Sequence, residues 1–108
     1  MSEYAWPGKD YENRAATARG AWTETIRTLP LGTKITGEVV GRQRFGVFLS
    51  IDGWPDAVGL AEIIAMPRCL DLPVMGERVS GEVVSHAEHN HQVKIRLAEW
   101  AEHEDAPR

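Results

Sequence analysis

The spacing of apolar residues along this chain changes period once, at Thr33. Before that point Tyr11, Ala15, Ala18, Trp22, Ile26 and Leu29 recur at spacings of 4, 3, 4, 4 and 3, which places them on one face of a helix. Arg14, Arg19, Glu24 and Arg27 fall largely on the other side. Asp10 suits the N-cap, and Leu29-Pro30-Leu31-Gly32 ends the pattern, since the residue before a proline disfavours helix. The spacing therefore predicts an amphipathic helix over 11–28, weakened by Gly20 by roughly 1 kcal/mol relative to alanine.

After Thr33 the period is two. Ile35, Gly37 and Val39 alternate with Lys34, Thr36 and Glu38, predicting a strand to about Gly41. Arg42-Gln43-Arg44 is a short connection, and Phe45 to Ile51 is a second strand ended by the turn pair Asp52-Gly53. Trp54-Pro55-Asp56 enlarges that turn. Ala57 to Leu60 reads as a third strand, Ala61 to Met66 as a helical turn stopped by Pro67, and 67–76 as an irregular loop. Val79 to His86 and Val93 to Leu97 form a hairpin across Ala87–Gln92. Five short strands, with a helical segment between the third and fourth, predict a mainly β fold: a five-stranded Greek-key OB-fold barrel with an added N-terminal α-helix. The organisation is then an arm and amphipathic helix over 1–30, the barrel over 31–98, and an acidic C-terminal tail over 99–108. Pro7-Gly8 is a turn signal that makes the first nine residues a loose arm. The helix is expected to cap an open end of the barrel, because small barrels need extra buried area. Covering the second strand or docking a partner is the alternative.

Composition narrows the setting. A chain of 108 residues suits one domain, and no apolar run approaches the roughly 20 residues needed to cross a bilayer. The N-terminus lacks the plan of a secretory signal, and the single cysteine, Cys69, permits neither an internal disulfide nor a cysteine-based zinc site. These features point to a reducing, cytoplasmic setting and no membrane association. The net charge of −4 divides as 0, −1 and −3 over 1–30, 31–98 and 99–108. With no basic excess in any segment, strong attraction to a phosphate backbone is not expected.

Phe45-Gly46-Val47-Phe48, the Gly59-Leu60 step with Ile63, and Gly32, Gly37 and Val39 of the first strand form a recognisable set. Gly76, Val79, Val83, Val93, Ile95 and Leu97 extend it through the last two strands. In these residues the chain resembles an S1 domain, an OB-fold RNA-binding module, over about residues 31–98. The resemblance implies that Phe45 and Phe48 stack on RNA bases, a mode tolerant of sequence. It also implies departures. Glu62 stands where the family carries a histidine, and Ala87 and Gln92 where it carries an aspartate and an arginine; Glu88 could fill the acidic place in a hairpin one residue longer.

Two readings follow. In the first, the chain is a non-enzymatic module that binds single-stranded RNA weakly, without strong sequence preference. Phe45 and Phe48 stack, Arg42 and Arg44 meet phosphates, and Lys94 or Arg96 adds charge. In the second, the barrel has lost its RNA site and serves a protein partner through Trp6, Trp54 or the N-terminal helix. Phe45 and Phe48 lie three apart, so they share a face only if Gly46 permits a bulge or twist. Trp54 is expected as a lid on the barrel end, and Trp100 to pack back onto the barrel. His86, Glu88, His89 and His91 invite a metal reading, but their position across a hairpin favours an exposed polar turn. No cofactor is implied, and no catalytic arrangement or phosphate-cradling loop is present in the sequence.

Overall fold

The computed structural model describes residues 4–8 and 11–102. Asp10, expected as a helix cap, and the tail beyond Glu102 lie outside the described residues. The helical pattern forms two helices, α1 (Tyr11–Gly20) and α2 (Trp22–Thr28), where the spacing predicts one. The break falls beside Gly20, whose backbone entropy disfavours helix.

Five strands follow: β1 (Lys34–Gln43), β2 (Gly46–Ile51), β3 (Val58–Glu62), β4 (Arg78–Ala87) and β5 (Gln92–Leu97). A 3-10 turn, Ile63–Ala65, follows β3, and a short helix, α3 (Ala98–Glu102), follows β5. The strands close into a barrel in the order β1-β2-β3-β5-β4, antiparallel throughout except for β3 beside β5. This is the five-stranded barrel of OB type that the sequence predicts, preceded by helices. β1 runs further than expected: Arg42 pairs with Val47 and Gln43 with Gly46, so both belong to the strand and not to a connection.

Period two explains the core. Val47, Leu49 and Ile51 of β2 and Val93, Ile95 and Leu97 of β5 point inward with Ile35, Val39, Ala61 and Val83. Trp100 of α3 and Leu29, just past α2, are buried in the same cluster. Trp22 and Trp54 pack against it, and the Trp54 indole N–H donates to Thr28 Oγ1 at 2.9 Å. α2 therefore closes an end of the barrel. α1 does something else: its Ala18 is buried with Phe48, Val58 and Leu60 on the outside of β2 and β3. The N-terminal segment thus divides the two roles considered for it, capping by α2 and covering of the second strand by α1.

Of the first nine residues, expected as a loose arm, 4–8 are described and run along the barrel. β1 pairs with β4 only as far as Glu38. Beyond that its edge is met by Gly76 and Glu77 at Val39, and by Ala5 at Arg42. The Ala5 N–H donates to Arg42 O at 2.7 Å and the Arg42 N–H to Ala5 O at 2.6 Å. Pro7 lies so close over Gly41 that a Cβ there would stand 2.8 Å from its ring. Tyr4–Gly8 is a strap tied along β1.

Candidate functional site

The strap, β2 and β3 together build an aromatic group on the outside of the barrel. Phe48 faces outward opposite Leu60, and Leu60 neighbours Lys94 of β5. Phe45 lies in the turn before β2. Gly46 makes this turn possible: its φ is 153°, and a Cβ would sit 2.2 Å from Ala61 O. The two phenyl rings consequently share a face, with centroids 5.8 Å apart and planes at 88°. Trp6 of the strap completes the group, 6.1 Å from Phe45 and 5.9 Å from Phe48 between ring centroids.

The three rings differ in access. Phe48 is 2% exposed, enclosed by Trp6, Phe45, Leu60 and Ala18 of α1. It is a support, not the open platform expected of it. Phe45 is 42% exposed and Trp6 56% exposed. Ile63, whose N–H donates to Phe45 O at 2.8 Å, and Ile64 after it are also exposed, Ile64 at 84%.

The cations expected around this group separate into three places. Arg44 is exposed in the turn that carries Phe45. Lys94 Nζ lies 2.9 Å from Glu62 Oε1, and Glu62 pairs in register with Gly46, so a carboxylate borders the aromatic group and engages its nearest strand cation. Arg42, expected to meet phosphates, is buried instead. Its Nε donates to Pro73 O at 2.9 Å, its Nη2 to Leu72 O at 3.3 Å, and its guanidinium carbon sits 5.2 Å from the Tyr4 ring centroid. The reason is the register shift in β1 between Val39 and Gly41, which sends Arg42 to the opposite side from its sequence alternation. Arg96 lies opposite Glu82 in the β4–β5 register and lines a cleft of about 580 Å³ with Lys34, Thr36, Asp52 and Trp54, a lining that includes none of the three rings. The structure therefore brings Phe45 and Phe48 together, with Arg44 next to Phe45 in the turn and Lys94 in register with Leu60, while Arg42 is buried and Arg96 lines the cleft. Ala87 and Gln92 are buried as a β4–β5 pair.

In that other cleft, Asp52 accepts hydrogen bonds from Arg78 and from Thr36 Oγ1, the latter at 2.7 Å. The Arg78 bond, seconded by Thr36, holds the Asp52 carboxyl below its ordinary range. The histidine hairpin is only partly the exposed turn expected. His86 Nε2 stands 2.7 Å from Leu29 O; a carbonyl only accepts, so this nitrogen carries the proton. The Trp22 indole meets His86 and His91 edge-on at 6.0 and 5.5 Å. These two histidines hold α2 in place, while Glu88, His89 and Asn90 are exposed. Among the described residues, no group of three or more His, Cys, Asp or Glu is placed to hold a metal ion. Among the described residues, no helix is long and apolar enough to cross a membrane.

Trp6 is the member of the group that sequence periodicity does not find. Its one signal is the Tyr4-Ala5-Trp6-Pro7 run, which alternates as a strand does but is too short to register.

No protein-family model and no curated protein matches the chain. Solved structures do. RNase R of Mycoplasma genitalium, alone and in complex with ribose-methylated single-stranded RNA, superposes with a TM-score of 0.65 at 14% identity, over 81% of this chain and 15% of that one. GSP13 of Bacillus subtilis superposes at 0.52 with 27% identity, over 74% of this chain and 62% of that one. A chain of the a/eIF2alpha–aDim2p–rRNA complex from Pyrococcus horikoshii OT3 gives 0.54 at 16% identity, over 68% and 49%. This chain thus spans well under a quarter of RNase R and less than two thirds of the other two. What it has in common with them is an OB-type barrel.

Proposed function

We propose that this barrel is a non-catalytic, cytoplasmic module that binds single-stranded RNA weakly, with little sequence preference, on the outer face of β2, β3 and β5. The observation that carries this reading is the exposed Phe45 ring, set by Gly46 on the same face as Phe48. A flat exposed ring accepts any base, because every base has a π-face. The S1-like pattern of Phe45-Gly46-Val47-Phe48, and the shared fold with an RNase R structure that contains single-stranded RNA, support the choice of ligand. In this reading Phe45 stacks on a base, Phe48 supports it, Arg44 meets a phosphate, and Lys94 contributes as far as Glu62 releases it. Arg42 and Arg96 take no part.

Anisotropy of a fluorescein-labelled eight-nucleotide RNA tests the proposal at low salt. The expected dissociation constant is about 10 µM to 1 mM, similar for oligo(U) and oligo(A). Absence of binding with 1 mM protein (an order-of-magnitude ceiling set by that weak range, roughly 4 kcal/mol) overturns it.

A protein-docking reading has one observation of its own. Ile63, bonded through its backbone to Phe45, and the largely exposed Ile64 next to it add exposed apolar side chains to those of Phe45 and Trp6, of the kind that mark protein contacts. Substituting Ile64→Ser separates the two: it leaves RNA affinity unchanged and abolishes a protein contact.

A further inference from the structure

We infer that Trp6 is a second base-stacking platform, occupying the role that the sequence pattern assigns to Phe48. This rests on the RNA-binding reading above and specifies how that site is built. Two stacking rings are expected on this face, yet Phe48 is enclosed on the strap side by Trp6 and on the helix side by Ala18. Moving the strap alone does not uncover it. The accessible aromatic surface belongs to Phe45 and Trp6, whose centroids lie 6.1 Å apart with planes inclined at 49°. Successive bases of an extended strand, splayed and not mutually stacked, can each meet one of two rings so arranged.

The strap presents this indole in a set position. Within five residues it is tied by the paired hydrogen bonds between Ala5 and Arg42, by Pro7 against Gly41, and by the Tyr4 ring against the Arg42 guanidinium. An indole serving only as packing would be buried; this one keeps more than half its surface in solvent beside Phe45. Arg42 gains a clear purpose as well. Buried beneath the strap, it positions Trp6 without touching a ligand, so the first arginine of Arg42-Gln43-Arg44 anchors the platform while Arg44 is left for the phosphate.

The test uses the full chain labelled with 5-fluorotryptophan, titrated with the same eight-nucleotide RNA and followed by fluorine NMR and anisotropy. The Trp6 signal, identified by its loss in Trp6→Phe, is expected to move on RNA addition while that of buried Trp100 stays. Trp6→Ala is expected to lower affinity about tenfold, and Trp6→Phe to stay within about threefold of the parent because a ring is retained. Normal RNA binding with a stationary Trp6 signal and an unaffected Trp6→Ala variant overturns this inference and leaves the RNA reading standing. Tighter binding by Trp6→Ala also overturns it, since the strap then obstructs the face. If the parent chain binds no RNA, the underlying reading fails first and this inference with it.

Discussion

Replacing Glu62 by glutamine should tighten RNA binding, and the structure sets the size of the gain. Glu62 Oε1 lies 2.9 Å from Lys94 Nζ on the ligand face. A phosphate oxygen in contact with Lys94 would stand roughly 6 Å from that carboxylate, a repulsion of about 3 kcal/mol at an effective dielectric of 20. Screening with a Debye length of about 8 Å at physiological salt, and the exposure of both groups, reduce this to roughly 1 kcal/mol. Glu62→Gln is therefore expected to raise affinity about fivefold. It should also steepen the dependence of log K on log salt by about 0.7, because one more cation reaches a phosphate. Stability should change by less than about 1 kcal/mol, as for other partly exposed ion pairs. Anisotropy titrations of both proteins at several salt concentrations measure all of this. Unchanged affinity and an unchanged salt slope would show that no phosphate passes Lys94, and the assignment of this face would fall.

Four further substitutions probe the aromatic rings, the buried arginine and the Asp52 ion pair. Phe45→Ala should cost less than about 1 kcal/mol of stability but weaken RNA binding at least fivefold, whereas Phe48→Ala should cost about 3 kcal/mol or more in denaturant unfolding, since it empties a buried position. Arg42→Ala should lower stability by about 2 kcal/mol, a fall of about 10 °C in Tm by calorimetry, because the Leu72 and Pro73 carbonyls lose a charged donor. Asp52 has its folded pKa depressed by Arg78 and Thr36, so its contribution to stability is present above the ordinary carboxylate range near pH 4 and is lost as pH falls through the lowered folded value. Melts of the parent and Asp52→Asn should accordingly differ at pH 7 and converge once pH has fallen through the lowered folded value; a gap that persists in acid contradicts the ion pair.

The barrel was legible in the sequence because its core has period two. Val47, Leu49, Ile51, Val93, Ile95 and Leu97 alternate with polar or outward residues, and nothing distant is needed to read that. Gly46 was legible as well, since two aromatics three apart cannot share a strand face without a residue able to adopt positive φ. The accessibility of the site was not legible. Phe48 is buried by Trp6 and Ala18, which lie more than twenty residues upstream and carry no period that points to it. Arg42 reads as a loop cation because the shift between Val39 and Gly41 that turns it inward has no sequence marker beyond Gly41 itself. His86 and His91 read as hairpin surface because their partner, Trp22, belongs to a helix some sixty residues away.

Chemical-shift mapping of the labelled chain with single-stranded RNA decides whether this face takes the ligand. Signals of Phe45, Arg44 and Lys94 are expected to move together in a saturable way, while those of Lys34, Thr36 and Arg96, which line the cleft beside Trp54, stay in place. Largest shifts in the cleft lined by Lys34 and Arg96, or none at all with RNA in millimolar excess, would contradict it.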